Sequence, residues 1–219
     1  MIRARHVSRF YGDVPALKDV SLSFEPGQFV ALVGRSGCGK TTLLNLCGAM
    51  DFPTSGSIEI GGVCTSGLDD TSLTRLRRTQ IGFIFQFFQL LPTMTALENV
   101  ELPALLAGRA DARAQASELL QWVELDGLGR RFPHQLSGGQ MQRVAIARAL
   151  VNSPPILLAD EPIGNLDTAT GSVVIDLLRR VATERKTLVI MATHSLESVT
   201  SCDTVVRLRD GQVDEVTHA

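Results

Sequence analysis

One loop constrains the fold of this chain more than any other feature. It reads Gly34-Arg35-Ser36-Gly37-Cys38-Gly39-Lys40-Thr41, follows the apolar run Phe29–Val33, and opens a helix-like segment at Thr42. A buried strand, a glycine-rich turn and a helix start in this order give the phosphate-binding pattern G-x-x-x-x-G-K-[ST]. Glycines let backbone N–H groups converge on phosphate oxygens, and the helix dipole adds positive potential there. We therefore predict that the loop and Thr42 bind nucleotide phosphates, with Lys40 on the β- and γ-phosphates and the Thr41 hydroxyl on Mg²⁺.

Length and composition indicate a single large globular domain. The chain has 219 residues, of which 44% are hydrophobic and 20% charged, so a full core is available. The net charge is −2 and is spread along the chain, so no nucleic-acid partner is expected. The local basic cluster at residues 75–78 is interpreted as a solvated helix face.

The termini and cysteines favour a cytoplasmic location. Residues 1–6 carry no apolar signal region, and no stretch approaches the roughly 20 apolar residues of a membrane span. The cysteines form no C-x-x-C pair, which predicts free thiols rather than disulfides or a metal site: Cys38, Cys47, Cys64 and Cys202. Any role at a membrane therefore requires another chain.

The periodicity of the chain predicts an α/β fold with antiparallel strands at its ends. Residues 2–10 and 17–25 read as strands around a turn, and Asp210-Gly211 marks a hairpin near the C-terminus. Between them, apolar strands alternate with helices, as in a parallel sheet. Residues from about 87 to 132 contain no strand signal and read as a helical insertion. We predict one domain, 1–219, with a core of 1–86 and 133–219.

Polar residues follow three of the predicted parallel strands directly. Gln86 follows 80–85, Asp160-Glu161 ends 155–159, and His194 comes after 187–192. Ligands bind at the carboxyl edge of such sheets, so these side chains are candidates for one site. Asp160 can hold Mg²⁺ through water, Glu161 can accept the proton of an attacking water, and Gln86 can reach either. Gln86 taken alone is equally compatible with a strand end in solvent, and a lone histidine such as His194 is usually structural or merely exposed.

A second helix start also has the features of an anion site. Ser137 is a plausible N-cap, and Gly138 and Gly139 leave the backbone N–H groups at the helix start uncovered by side chains. Gln140 follows them. A lone S-G-G indicates no more than a cap. Tyr11, the one tyrosine, lies on a predicted turn, where its ring can stack on a purine or pack against the sheet.

Taken in order, these motifs resemble the ATP-binding subunit of an ATP-binding-cassette (ABC) transporter over essentially the whole chain. The resemblance implies a phosphate-loop ATPase fold with an antiparallel β subdomain and a helical insertion, with ATP and Mg²⁺ as cofactors. It also implies roles for individual residues: Tyr11 stacks on adenine, Gln86 is the switch glutamine, Leu136–Gln140 is the signature, Glu161 is the catalytic base, Asp167 lies in the dimer-crossing loop, and His194 contacts the γ-phosphate.

A narrower resemblance is carried by residues 81–86, 90–92 and 95–100, together with Glu161-Pro162 and the turn at 164–167. These segments resemble the macrolide-export and lipoprotein-release branch, whose members work with permeases that have large extracytoplasmic domains. Three positions depart from the commonest motifs of the family: Ile163, Met141 and Cys38. Ile163 and Met141 replace no chemical group of the ATPase, and Cys38 is a variant that the family tolerates.

The resemblance implies a head-to-tail homodimer in which each ATP lies between one chain's phosphate loop and the other chain's signature. Glu161 then activates water, and closure drives an integral membrane permease, with the ATPase on the inner face of the plasma membrane. Two other interpretations stay open. One is a cassette ATPase of a regulatory, cell-division or repair assembly, and the other is a phosphate-loop kinase, which leaves the second helix start unexplained.

Overall fold

Two β-sheets, α-helices and two short 3-10 helices make up the described part of the chain, residues 1–195 and 197–218, in a computed structural model. The strands are β1 Ile2–Tyr11, β2 Val14–Phe24, β3 Phe29–Val33, β4 Ser55–Ile60, β5 Val63–Cys64, β6 Ile81–Ile84, β7 Ile156–Asp160, β8 Leu188–Thr193, β9 Thr204–Arg209 and β10 Gln212–His218. The α-helices are α1 Lys40–Cys47, α2 Asp70–Gln80, α3 Ala96–Leu106, α4 Ala112–Trp122, α5 Gly138–Leu150 and α6 Thr168–Arg185, and the 3-10 helices are Pro133–Gln135 and Glu197–Ser201.

The larger, six-stranded sheet has the order β10-β9-β3-β8-β7-β6. Its pairs from β6 to β9 are parallel, and β10 joins by an antiparallel hairpin. Every residue of β3 and β8 is buried. Alternate residues of β3 enter opposite cores: Ala31 packs with α3 to α6, and Val30 packs with α1 and the smaller sheet. Burial on both faces explains why these strands are continuous apolar runs.

The smaller sheet is four-stranded and antiparallel, in the order β2-β1-β4-β5. Its first hairpin is tighter than the sequence predicts. The turn was expected over residues 11–15, but Tyr11 pairs with Val14 and Phe10 pairs with Pro15. Proline is compatible with an edge strand because it only lacks a donor there. The turn proper is therefore Gly12-Asp13.

The helical segment between β6 and α5 contains α3 and α4. Helix α3 begins with a capping box between Thr95 and Glu98, and it continues through Pro103 to Leu106, beyond the predicted residues 95–100. Burial of apolar residues along α3, such as Val100 and Ala104, outweighs the hydrogen bond that proline removes. The division into core and helical subdomain stays a prediction.

None of the helices in the described residues combines the length and apolarity needed to cross a lipid bilayer.

Candidate nucleotide-binding site

The carboxyl ends of β3, β6, β7 and β8 surround a cleft of about 510 Å³. Parallel strands bring their carboxyl ends to one edge, so residues far apart in sequence meet there. The cleft is lined by Ala16, Ser36, Gly37, Gly39, Lys40, Thr41, Thr42, Gln86, Asp160, Glu161 and His194. The structure thus brings together the lysine, hydroxyl, amide, carboxylate and imidazole groups that the sequence placed at this edge.

The phosphate loop is held in a shape that requires glycine at Gly39. This residue caps α1 with φ of 105°, and a Cβ atom there would lie 2.6 Å from the Ala16 carbonyl oxygen. Lys40 is 8% exposed, and its Nζ donates to the carbonyl oxygens of Gly34 at 2.9 Å and Arg35 at 3.4 Å. The ammonium group is therefore already held inside the loop, at the start of α1.

Oxygen donors suited to Mg²⁺ converge on the same cleft. The Thr41 hydroxyl donates to Asp160 Oδ1 at 3.3 Å, and Gln86 lines the cleft beside them. Burial raises the pKa of Asp160, and the hydrogen bond from Thr41 opposes this rise. Hydroxyl, carboxylate and amide oxygens are ligands that Mg²⁺ accepts. Among the described residues, no group of three or more His, Cys, Asp or Glu side chains is arranged to hold a metal ion.

Glu161 occupies a strained backbone position that aims its carboxylate at the cleft. Its φ is 47°, in the left-handed region that non-glycine residues rarely adopt, and its N–H donates to the Ala192 carbonyl oxygen at 2.9 Å. His194 Nδ1 donates to Glu161 Oε2 at 2.8 Å. The glutamate side chain is 16% exposed and the histidine 70% exposed. The carboxylate is thus oriented by a solvent-facing partner.

Gln86 belongs to a backbone segment, Gln86–Gln89, that two distant side chains hold in place. Asn165 Nδ2 donates to the Gln86 carbonyl oxygen at 3.0 Å. Arg148 donates to the carbonyl oxygens of Phe88 at 2.8 Å and Gln89 at 2.5 Å. Phe88 and Gln89 have φ values of 59° and 50°. Sequence reasoning missed Asn165 and Arg148, because the Asn165 contact spans 79 residues and carries no local pattern.

The predicted signature forms the start of α5, away from the phosphate loop. Ser137 Oγ accepts from the Gln140 N–H at 3.3 Å, and Gln140 Oε1 accepts from the Ser137 N–H at 2.9 Å. Ser137, Gly139 and Gln140 line a separate groove of about 420 Å³, beside the N-terminal turns of α6. This groove and the phosphate-loop cleft share no lining residue.

Replacing Ser137 by alanine is expected to lower the free energy of unfolding by about 1 kcal/mol, because the N-cap acceptor of α5 is lost. The measurement is urea denaturation of the two proteins. Ser172→Ala is the matched control, since the Ser172 hydroxyl donates to a carbonyl within α6 and caps nothing. Equal stability of Ser137→Ala and the unmodified chain would contradict the capping role.

Asp167 caps α6 and is connected to the signature through Thr170. Its carboxylate accepts from the Thr170 N–H at 3.0 Å and from the Thr170 hydroxyl at 2.6 Å, and these bonds lower its pKa. A Cβ atom on Gly139 would lie 2.1 Å from Thr170 Cγ2, so this position requires glycine. Asp167 also lines a cleft that includes Glu161 and His194.

Besides Ser137–Gln140 and Asp167, four predicted nucleotide contacts do not line the phosphate cleft. Gly34, Arg35 and Cys38 line a cavity of about 600 Å³ against the β9–β10 hairpin, and Cys38 is 6% exposed. Because Cys38 is buried, any contact of this residue with phosphate would use its backbone. Tyr11 lies at the end of β1, beside the hairpin turn.

Comparison with known proteins identifies the family. The family model described as "ABC transporter" matches residues 17–164. The chain belongs to the ABC transporter family. The solved dimer of the ATP-binding cassette MJ0796 from Methanocaldococcus jannaschii, bound to ADP and Pi, is 42% identical, with a TM-score of 0.91 over 100% of this chain and 98% of that one.

Two further relatives bear on the narrower resemblance. The lipoprotein-releasing system ATP-binding protein LolD of Bordetella pertussis is 43% identical over 97% of this chain and 94% of its own length. The macrolide export ATP-binding/permease protein MacB of Rhodopirellula baltica is 46% identical over 93% of this chain and 30% of its own length. The predicted ABC ATPase fold and the likeness to this branch are therefore confirmed.

Proposed function

We propose that this chain hydrolyses ATP as a head-to-tail homodimer and thereby powers a separate membrane permease. One observation carries the proposal. In a single chain, two helices begin with backbone N–H groups that can bind an anion: α1 at Lys40 and α5 at Gly138. The grooves at these two helix starts have no lining residue in common. One triphosphate cannot use both starts of the same chain. A second copy, supplying its signature to the first copy's phosphate loop, uses both.

The residues around the cleft supply what phosphoryl transfer to water requires. Lys40 neutralises charge on the β- and γ-phosphates, and Mg²⁺ held by Thr41, Gln86 and Asp160 would screen the phosphate oxygens. Glu161 accepts the proton of the attacking water. His194, whose Nδ1 is hydrogen-bonded to Glu161 in this structure, would contact the γ-phosphate. The relative MJ0796, a dimer bound to ADP and Pi, supports this assignment.

The surface following Gln86 suits a membrane partner. Leu106 is 65% exposed and lines a groove of about 460 Å³ between α2, α3 and α5. Phe87, also 65% exposed, lies in the chain between Phe85 and Gln89, which line the same groove. Exposed apolar surface of this kind marks interaction sites. The backbone of Phe88 and Gln89 is fixed by Arg148, so force applied here reaches Gln86 and α5. We assign this groove to the permease, which would place the ATPase at the inner face of the membrane.

The relatives favour an export or lipoprotein-release system, because MacB and LolD carry those descriptions. The substrate would be read by the permease. The alternative is a cassette ATPase of a regulatory, cell-division or repair assembly, which would use the same dimer without translocation.

Two measurements test the proposal. Purified chain with MgATP is expected to release phosphate without any added acceptor, which a kinase would not do. Purification from detergent-solubilised membranes is expected to retain an integral membrane protein. ATP hydrolysis without such a partner would favour the non-transport alternative, and absence of hydrolysis in both preparations would contradict the ATPase assignment.

A further inference from the structure

The ring of Tyr11 is held by the side chains of Asp51 and Arg9. Its hydroxyl donates to Asp51 Oδ2 at 2.7 Å. The Arg9 guanidinium lies over one face of the ring, 4.6 Å from the centroid, and also pairs with Asp51 Oδ1 at 2.8 Å. Asp51 and Arg9 are 18% and 24% exposed, whereas Tyr11 is 48% exposed. A half-exposed aromatic ring is thus fixed by two largely covered charged groups.

Asp51 is also attached to the helix that begins at the phosphate loop. Helix α1 runs from Lys40 to Cys47. Beyond its end, the Met50 N–H donates to the Asn45 carbonyl oxygen at 2.9 Å, so the chain stays hydrogen-bonded to the last turn of α1 up to the residue before Asp51. Asp51 Oδ1 also accepts from the Phe52 N–H at 2.8 Å. The same helix therefore carries the phosphate-binding lysine at its start and the support of Tyr11 just beyond its end.

The segment that carries Asp51 is bound to the end of β1 by the backbone as well. The Thr54 N–H donates to the Ser8 carbonyl oxygen at 2.8 Å, and the Phe10 N–H donates to Thr54 Oγ1 at 3.1 Å. These bonds set the separation between Tyr11 and α1. A rigid separation is what a ligand with a base at one end and phosphates at the other needs.

We propose that Asp51, together with Arg9, is a positioning residue that fixes the Tyr11 ring so that its face away from Arg9 stacks on the purine of ATP. This inference rests on the proposed nucleotide function, including the expected stacking of Tyr11 on adenine, and adds the two residues that hold the ring in place. Arg9 covers one face of the ring, so a stacked base uses the other. Without Asp51, the ring must be ordered when the nucleotide binds, which weakens binding.

The test compares ATP with inorganic tripolyphosphate, which carries the phosphates and no base. Tyr11→Phe and Asp51→Ala are each expected to weaken MgATP binding roughly twofold to tenfold, because binding must then supply the free energy needed to immobilise one more side chain. Neither change should alter the dissociation constant of tripolyphosphate beyond measurement error. Tyr11→Ala, which removes the stacking surface, should weaken ATP binding more than either, with tripolyphosphate again unaffected. Isothermal titration calorimetry gives all these constants.

Asp19→Ala is the matched control, because Asp19 also pairs with a β1 side chain, His6 at 2.8 Å, and none of the hydrogen bonds or ion pairs among the described residues joins it to Tyr11. It should bind both ligands as the unmodified chain does. Unchanged ATP affinity in both Tyr11→Phe and Asp51→Ala would overturn the proposal. Equal losses for ATP and tripolyphosphate would also overturn it, since Asp51 would then support only α1. Tyr11→Phe removes only one exposed oxygen atom and should not disturb folding. Its affinities for ATP and tripolyphosphate therefore test the proposal even if Asp51→Ala does not fold. If the proposed nucleotide function itself is wrong, the unmodified chain should bind neither ATP nor tripolyphosphate, which distinguishes that outcome from a failure of the Asp51 proposal.

Discussion

Replacing Glu161 by glutamine is expected to lower steady-state ATP hydrolysis about 10²- to 10⁴-fold, the range for loss of a positioned general base. The change removes the proton acceptor and keeps the shape of the side chain. The amide can still meet His194 Nδ1, which lies 2.8 Å from the carboxylate here. Lys40 and Thr41 are untouched, so MgATP binding should be unchanged. The catalytic step alone is removed.

Because the nucleotide then persists, the Glu161→Gln protein should accumulate as an ATP-bound dimer. Size-exclusion chromatography with MgATP should show the dimer, and the same column without nucleotide should show the monomer. Glu215→Gln is the control, since Glu215 lies exposed on β10 and pairs only with Arg207 at 3.6 Å in the described contacts. Hydrolysis at the unmodified rate would show that Glu161 is not the base. A monomer under saturating MgATP would contradict the two-chain site.

Parts of this molecule that depend on local pattern were accessible from the sequence. Apolar runs marked β3, β7 and β8, and parallel pairing then required Gln86, Glu161 and His194 to share an edge. All three line one cleft in the structure. Ser137 was predicted as the N-cap of α5 from residue type and following glycines, and its hydroxyl accepts from the Gln140 N–H. The apolar runs and the N-cap can each be recognised from a few consecutive residues, and the rule that parallel strands share an edge supplies the rest.

The start of α6 cannot be recognised from apolar periodicity. The large apolar residues at helical spacing begin at Val173, whereas α6 begins at Thr168. Its first turn ends at Gly171 and contains no large apolar residue. A Cβ atom there would lie 3.7 Å from Ile163 Cβ, so the helix packs against the preceding loop at this glycine. The packing that stabilises this turn involves a residue outside the helix, which periodicity does not report.

The supports of the candidate site could not be predicted at all. Arg148 reaches the carbonyl oxygen of Phe88 across 60 residues, and Tyr11 reaches Asp51 across 40. Arginines and aspartates are common on surfaces, and nothing in their sequence neighbourhood distinguishes these two. Their partners are chosen by the three-dimensional approach of separate elements. The candidate site residues can therefore be predicted from the sequence more readily than residues such as Arg148 and Asp51, which position other residues through long-range contacts.

Replacing Lys40 by methionine should affect binding and hydrolysis together, in contrast to Glu161→Gln. Methionine keeps the length of the side chain and suits a position that is 8% exposed, so the fold should survive. It removes the charge that meets the β- and γ-phosphates. Losing hydrogen bonds from a charged donor should weaken MgATP binding about tenfold to a hundredfold. Removing one electrostatic contact to the transition state should lower hydrolysis by a further 10²- to 10³-fold.

The decisive measurement combines both changes in one chain. If Lys40 holds the phosphates that join two protomers, Lys40→Met placed in the Glu161→Gln protein should abolish the dimer at MgATP concentrations that saturate Glu161→Gln alone. Lys18→Met in the same background removes an equal charge from β2 and should leave the dimer intact. Dimerisation of the Lys40→Met, Glu161→Gln protein at unchanged nucleotide concentration would show that the closed state does not depend on this ammonium group. The loop would then bind ATP through its backbone N–H groups alone, and the lysine would serve only to bridge the carbonyl oxygens of Gly34 and Arg35, as it does here.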